Sequence, residues 1–328
     1  MTEDPESRAR QAAAVLELRG GSAARLRRLS AAALRPSFDR RRGPLVTVVI
    51  ATYNRSEVLR FAIESVRRQT YRNWELIVVG DACTDDSEAV VGSFADPRIR
   101  WTNLPQNTGS QSGPNNLGIA LASGTYVAYL GHDDLWLPQH LARLASAAER
   151  AGSGLAMGVC LSLGPPGSNI HWLQPSRAYE QGMNVPPSAI LHRRDLVDEV
   201  GGWRDYRDLV EPPDLEFITR MAASRCGWTQ VDELTVCKFN AALRPNSYRE
   251  RRSDEQRRAL RRIVFSRRLF AIQELAAVKR LRDSGLEERP PAFRQPPAVM
   301  PAGWIVNEWR RVRGLDWTES PAEHSPTD

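Results

Sequence analysis

Between residues 45 and 152 the chain alternates four times between a short apolar, β-branched run and a stretch with helical spacing. "LVTVVIAT" (45–52) has no polar face, as expected of a strand buried on both sides. "RSEVLRFAIESVRRQ" (55–69) then places Val58, Leu59, Ala62, Ile63 and Val66 along one side of a helix. Strands are predicted again at 74–80, 98–104 and 125–131, and helices at 85–95, 115–123 and 138–152, the last opened by Pro138. Strands and helices alternating at this length form βαβ units, so the sheet they share is mostly parallel. Such sheets bind ligands outside the carboxyl ends of their strands. Polar residues gather at those ends: "TYNR" after the first strand, Asp81 after the second, and Asp133 with Asp134 after the fourth.

Past residue 152 the pattern loosens. Strands are expected at 155–163, 188–193 and 233–239, and helices at 194–203 and 214–227, with Asp214 in the first turn of the latter. An Arg-rich helix is expected over 250–286, and the prolines of "ERPPAFRQPPAVMPAG" exclude regular structure from 287. These shifts suggest a helical Arg/Ala-rich arm (1–43), a first half (44–152), a second half (153–245) and a helical and Pro-rich C-terminal extension (246–328). No apolar run reaches the roughly 18 residues of a membrane span. The charged start of the chain lacks a secretory signal, and Cys83, Cys160, Cys226 and Cys237 show no metal-site or disulfide spacing. The expected location is the cytoplasm.

The net charge of +6 comes almost wholly from arginine, since lysine occurs only at Lys238 and Lys279. Arginines cluster before the first strand (Arg25, Arg27, Arg28, Arg35, Arg40, Arg41, Arg42) and over 249–270. Such clusters suit a solvated helix face, an anionic membrane surface, an acidic acceptor or nucleic acid. Nucleic acid is the weakest of these, because no aromatic residues interleave at the spacing of a known module. A peripheral position on the inner face of a membrane follows from the membrane reading.

Two adjacent carboxylates at the end of "TYVAYLGHDD" repel each other, and burial would raise the cost of ionising either. They suit a polar loop cap, or a divalent metal carrying a phosphorylated ligand.

The ordered segments "VTVVIATYNR", "SVRRQTYRNWELIVVGDACTDDS", "NNLGIALASGTYVAYLGHDD" with "LWLP", and "GGW" followed by "PDLEFITR" resemble family 2 glycosyltransferases of the GT-A fold. The resemblance covers residues 44 to 240 and leaves both ends of the chain outside. It implies an α/β, Rossmann-like, mostly parallel sheet flanked by helices, and a metal-dependent, inverting transfer of a sugar from a nucleotide diphosphate donor, foremost a UDP-sugar. It implies that Thr52, Tyr53, Asn54, Asp81 and Asn115 lie against the nucleotide. Asp133 would hold the ribose and, with Asp134, a Mn²⁺ or Mg²⁺ ion on the diphosphate. Asp214 would be the base that takes the acceptor's proton, with Glu211 and Glu216 as rivals and Arg220 at its usual offset. The helix's positive end would favour the ionised form of Asp214.

Trp203, Glu211 and His132 are candidate acceptor contacts, although a tryptophan there serves a core equally well. The acceptor is open among a glycan, a lipid-linked sugar, a peptide and a small molecule, and a homodimer fits the same reading. Two positions depart from the family: Gly131 stands where an Asp is common, and Asn115 where an Arg is common. They keep open a disabled, scaffold-like relative. A sugar-phosphate nucleotidyltransferase would need a Gly-rich basic loop after the first strand, where "ATYNRSEV" has no glycine. His140, His171 and His192 have no partner readable from spacing. Trp304, Trp309 and Trp317 with Arg310, Arg311 and Arg313 form a tail that could pack on the domain or dock elsewhere.

Overall fold

The computed structural model describes residues 28–32 and 43–315, apart from 167, 169–170, 176–178, 181, 285–296 and 298. Most of the expected N-terminal arm, and Trp317, therefore lie outside the described residues. Of the arm, 28–32 are helical, with Leu29 and Ala32 buried.

The first half follows the alternation. It comprises β1 (Val46–Thr52), α1 (Ser56–Arg67), β2 (Trp74–Gly80), α2 (Ser87–Gly92), β3 (Ile99–Asn103), α3 (Ser112–Ala120) and β4 (Tyr126–Tyr129). Then come β5 (Leu135–Trp136), α4 (His140–Ala151), β6 (Leu155–Leu163), β7 (His171–Gln174), β8 (Ile190–Arg193), α5 (Leu196–Val200), α6 (Pro213–Ala222) and β9 (Trp228–Phe239). The extension contributes α7 (Ser247–Glu250), α8 (Asp254–Ser284) and α9 (Trp304–Val312).

The strands join in one sheet of order β3-β2-β1-β4-β8-β6-β9-β5, with β7 beside β6. The β3-β2-β1-β4 part is parallel, with Val46 opposite both Trp74 and Tyr126. Beyond β4 the pairing is mixed: β8 is antiparallel to both β4 and β6, β9 is parallel to β6, and β5 is antiparallel to β9. The short strands β5 and β7 escape sequence reading because two to four residues cannot establish a period of two.

Two apolar cores follow. The larger unites β1, β2 and β4 with the inner faces of α1 and α4, including Ile50, Leu59, Ile63, Leu76 and Leu144. The second lies where Leu135, Val159, Leu161, Leu234 and Phe239 meet Leu29 and the inner face of α8 (Ala259, Leu260, Ile263, Phe270, Leu275). The Arg-rich helix is thus amphipathic, with its apolar side part of the fold. No helix among the described residues is long and apolar enough to cross a membrane.

Candidate active site

Parallel pairing brings the ends of β1, β2 and β4 together. The Asp81 N–H donates to the Thr52 carbonyl at 2.8 Å, and the Leu130 N–H donates to Val49 at 3.0 Å. Asn54, at φ +46°, ties the first two loops: its Oδ1 accepts from the N–H groups of Thr84 (2.8 Å) and Asp85 (3.2 Å). The short polar side chain of Asn tolerates this left-handed backbone, so Asn54 shapes the crevice by bridging loops. Asp81 is also turned inward. Its carboxylate accepts from the N–H and Oγ1 of Thr108 (2.8 and 2.9 Å) and from the Gly109 N–H (3.2 Å). Burial pushes its pKa up, against those donors and the charge of Arg310.

The paired carboxylates separate sharply. Asp134 is fully buried. Its Oδ2 accepts from Ser188 Oγ at 2.6 Å and faces Lys238 Nζ at 3.3 Å, while its Oδ1 accepts from the Phe239 N–H at 3.1 Å. Ser188 Oγ also receives the Gly131 N–H at 3.0 Å. A Cβ on Gly131 would stand 2.9 Å from Asp134 Oδ2, so the glycine is what this winding of the loop accommodates. Both oxygens of Asp134 are thus occupied by the protein, which corrects the expectation that this residue holds a metal. Asp133, one residue earlier, is half-buried, and no donor among the described residues reaches its carboxylate. Burial would raise its pKa, but His132, Lys238, Arg55 and Arg313 together hold it below the usual range. The like-charge conflict in "DD" is resolved by turning one carboxylate onto a lysine and leaving the other open.

Asp214 sits in the first turn of α6, its Oδ1 accepting from the Leu215 N–H at 3.1 Å. Burial raises its pKa, against Lys238, that N–H and Arg313. Desolvation thus outweighs the helix end, contrary to the sequence expectation. A carboxylate raised in this way is the more competent base near neutral pH. The charges of Lys238 and Arg313 act on Asp133 and Asp214 alike. Glu216 is no rival: it is buried against Arg220 (2.6 Å) and Arg204 (3.1 Å). Arg220 in turn holds the carbonyls of residues 200–202. Glu211 lies at the surface, its pKa raised by the partial loss of solvent around its carboxyl and by the charge of Glu216.

Trp203 is a core residue. It stacks on Phe217 at 4.4 Å and packs edge-on to Tyr129 at 5.2 Å, with 4% of its surface exposed. Asn116 clamps its backbone from both sides at 2.8 Å. This corrects its reading as an acceptor contact. His140 and His192 are core residues too. His140 Nδ1 lies 3.0 Å from Thr235 Oγ1, and His192 Nε2 lies 2.9 Å from the Tyr129 hydroxyl. Asn115 is buried in α3 and Thr52 in β1; among the described residues neither the Asn115 amide nitrogen nor the Thr52 hydroxyl has a partner.

Residues 47–197 match the family described as "Glycosyl transferase family 2". This stretch contains the open carboxylate Asp133 and all three loops of the crevice. Among curated relatives, the succinoglycan biosynthesis protein ExoO of Rhizobium meliloti (strain 1021) is 38% identical over 122 residues, covering 37% of this chain and 34% of that protein. The Escherichia coli UDP-Glc:alpha-D-GlcNAc-diphosphoundecaprenol beta-1,3-glucosyltransferase WfgD is 35% identical over 97 residues, covering 30% of this chain and 38% of that protein. The matched stretch thus spans little more than a third of these relatives.

Solved structures share the fold, which is GT-A. Staphylococcus aureus TarS 1–349 with UDP-GlcNAc superposes at TM-score 0.51 and 17% identity, over 73% of this chain and 72% of that one. The Pyrobaculum calidifontis mannosyltransferase PcManGT with GDP-Man and Mn²⁺ does so at 0.51 and 17%, over 87% and 86%.

The matched stretch does not form the crevice alone. The C-terminal extension walls it, and none of these residues was legible as a site from the sequence. The N–H groups of Asn246 and Tyr248 donate to the carbonyls of Val312 (3.0 Å) and Arg313 (3.1 Å), pinning α7 to the end of α9. Arg310 donates to the Gly109 carbonyl at 2.7 Å, beside the Asp81 loop. Arg251 reaches Asp85 at 2.7 Å, and Gln256 Nε2 donates to the Asp133 carbonyl at 3.3 Å. Tyr248 then lies 6.4 Å from the ring of Tyr53 and 6.2 Å from that of His132, under the guanidinium of Arg55 at 5.0 Å. Burial pushes His132 down to about 4, so near neutral pH it is uncharged.

Around the open carboxylate, three buried nitrogens have no partner among the described residues: Arg55 Nη1, Arg313 Nε and His132 Nδ1. Unmet N–H groups of two guanidinium ions ask for an anion, and the carboxylate without donors asks for a cation. This is the complement of a metal–diphosphate pair. No group of three His, Cys, Asp or Glu side chains among the described residues forms a metal cage. Divalent cations in nucleotide sites commonly take one or two carboxylates and complete their shell from phosphate and water, so Asp133 fits that role.

Proposed function

We propose that the protein is an inverting glycosyltransferase that moves a sugar from a nucleotide diphosphate, foremost a UDP-sugar, to an acceptor hydroxyl. One observation carries the reading. The open carboxylate Asp133 and the raised carboxylate Asp214 lie under the influence of the same two cations, Lys238 and Arg313, at the carboxyl edge of the sheet.

The nucleotide would lie between Tyr53 and the loop built on Asp81, with Thr52 and Asn115 buried beneath. Arg55 and Arg313 would donate to the phosphate oxygens through the N–H groups now unmet. Asp133 would hold Mn²⁺ or Mg²⁺, which neutralises charge on the departing diphosphate. Asp134 orients that loop through Ser188 and Lys238. Asp214 would take the proton of the acceptor hydroxyl as it attacks the anomeric carbon opposite the leaving group. A single base and a single displacement invert that centre. Exposed Glu211, and His132, would be the acceptor contacts.

A UDP-sugar as donor is supported by the uridine named for WfgD and in the TarS complex, and the cation by the Mn²⁺ in the PcManGT complex. The relatives named for succinoglycan biosynthesis and for a diphosphoundecaprenol-linked sugar support a glycan or lipid-linked acceptor. The test is thermal stabilisation by UDP- and GDP-sugars with and without Mn²⁺, followed by NMR of the product. Stabilisation by UDP-sugars only with metal, and an inverted anomer, are expected. Failure of every nucleotide to stabilise the fold, or a retained anomer, would overturn the reading.

A further inference from the structure

The chain of α8 breaks at Ser266, whose backbone is extended (φ −160°, ψ 101°). Ser266 Oγ accepts from the Leu269 N–H at 3.2 Å, capping the second segment as a helix start does. The two segments fold toward each other, with Arg262 reaching Gln273 (3.0 Å) and Glu274 (2.7 Å). The corner so formed carries Phe265 with 85% of its surface exposed, beside Val264 (46%) and Leu269 (45%). Next to it opens a cleft of about 560 Å³ lined by Arg67, Arg68, Arg72, Arg267 and Arg268, with no carboxylate in its lining. Neither Arg72 nor Arg268 has an ion-pair partner among the described residues.

We propose that this corner docks on the surface of an anionic lipid bilayer. A merely solvated arginine face has no reason to hold three large apolar side chains in water within six residues. An apex of Phe, Val and Leu ringed by arginines matches the boundary between acyl chains and headgroups. There the apolar tips enter the hydrocarbon edge and the guanidinium groups meet phosphate. Charge complementarity favours lipid: Arg67 and Arg68 are paired with Glu64, but Arg72 and Arg268 bring positive charge that no carboxylate among the described residues meets. The same helix touches the active site through Gln256, whose side chain holds the Asp133 loop. Val264 lies eight residues further on, about 12 Å along the axis. Docking here would place the crevice close to the bilayer, within reach of an acceptor held in lipid.

The test is co-sedimentation of the full chain with vesicles of phosphatidylcholine containing about 30% phosphatidylglycerol, against pure phosphatidylcholine. It needs no donor or turnover, so it stands or falls apart from the proposed reaction. Binding to the acidic vesicles alone, weakened by salt, is expected. Arg72→Ala and Arg268→Ala should each weaken it about fivefold, and Phe265→Ser roughly tenfold. These side chains are exposed, so an unchanged melting temperature certifies each fold. Three outcomes would overturn the proposal: no binding, equal binding to neutral vesicles, or acidic binding that the three variants leave intact. Self-association lost in Phe265→Ser without vesicle binding would assign the corner to a second copy of the chain instead.

Discussion

Asp133 and Asp134 are neighbours in sequence, and truncating each should have opposite consequences. Asp134→Ala removes an acceptor that serves Ser188 Oγ, the Phe239 N–H and Lys238 Nζ. It strands an ammonium whose side chain is 25% exposed. Breaking a buried ion pair by deleting one partner costs about 3–5 kcal/mol. The partial exposure of Lys238 moves this toward the lower end, about 3 kcal/mol. At about 2–4 °C per kcal/mol for a domain of this size, the melting temperature should fall by roughly 6–12 °C. Asp133→Ala removes a carboxylate that no donor reaches but that Lys238, Arg55 and Arg313 attract, so stability should fall only slightly, by about 1 kcal/mol or less. It should instead lose Mn²⁺-dependent affinity for UDP. Differential scanning calorimetry and titration calorimetry with UDP, with and without Mn²⁺, read both quantities. If Asp134→Ala melts with the parent protein and loses the metal-dependent binding, Asp134 is the ligand and the assignment above fails.

Asp214→Asn should lower transfer by roughly 10²–10⁴-fold with UDP affinity nearly unchanged. Its raised folded pKa favours the folded state below the unfolded value of about 3.9, and that contribution is lost as pH rises through the folded value. The variant should therefore melt slightly higher at pH 7, and a lower melting temperature would contradict the sign. Burial holds His140 at about 3 and His192 at about 4, against about 6.5 when unfolded. Their stabilising contribution is present above pH 6.5 and lost as pH falls toward 4, so thermal stability should drop across that window, less steeply in His192→Gln. Arg313→Ala should weaken UDP binding by about 1.5–3 kcal/mol, whereas Arg311→Ala, which breaks the pair with buried Glu308, should lower the melting temperature and leave UDP affinity unchanged in titration calorimetry.

Periodicity determined much of this protein without any structure. Val58, Leu59, Ile63 and Val66 fall on one face of a helix, and "LVTVVIAT" has no polar side, so the parallel half of the sheet and the edge that carries polar loops were legible. Those features are local, set by a residue and its neighbours three or four positions away. Fates that depend on distant partners were not legible. Which of two adjacent carboxylates turns inward was decided by Ser188 and by Lys238, the latter 104 residues downstream of Asp134. Trp203 joined the core because Phe217 and Tyr129 offered it rings to pack on. Nothing in "NEWRRVRG" announced that Arg310 would meet the Asp81 loop or that Arg313 would act on Asp133 and Asp214. Only the return of α9 across the crevice brought those charges there. Local pattern reports which face of an element is apolar, and packing alone decides what that element is set against.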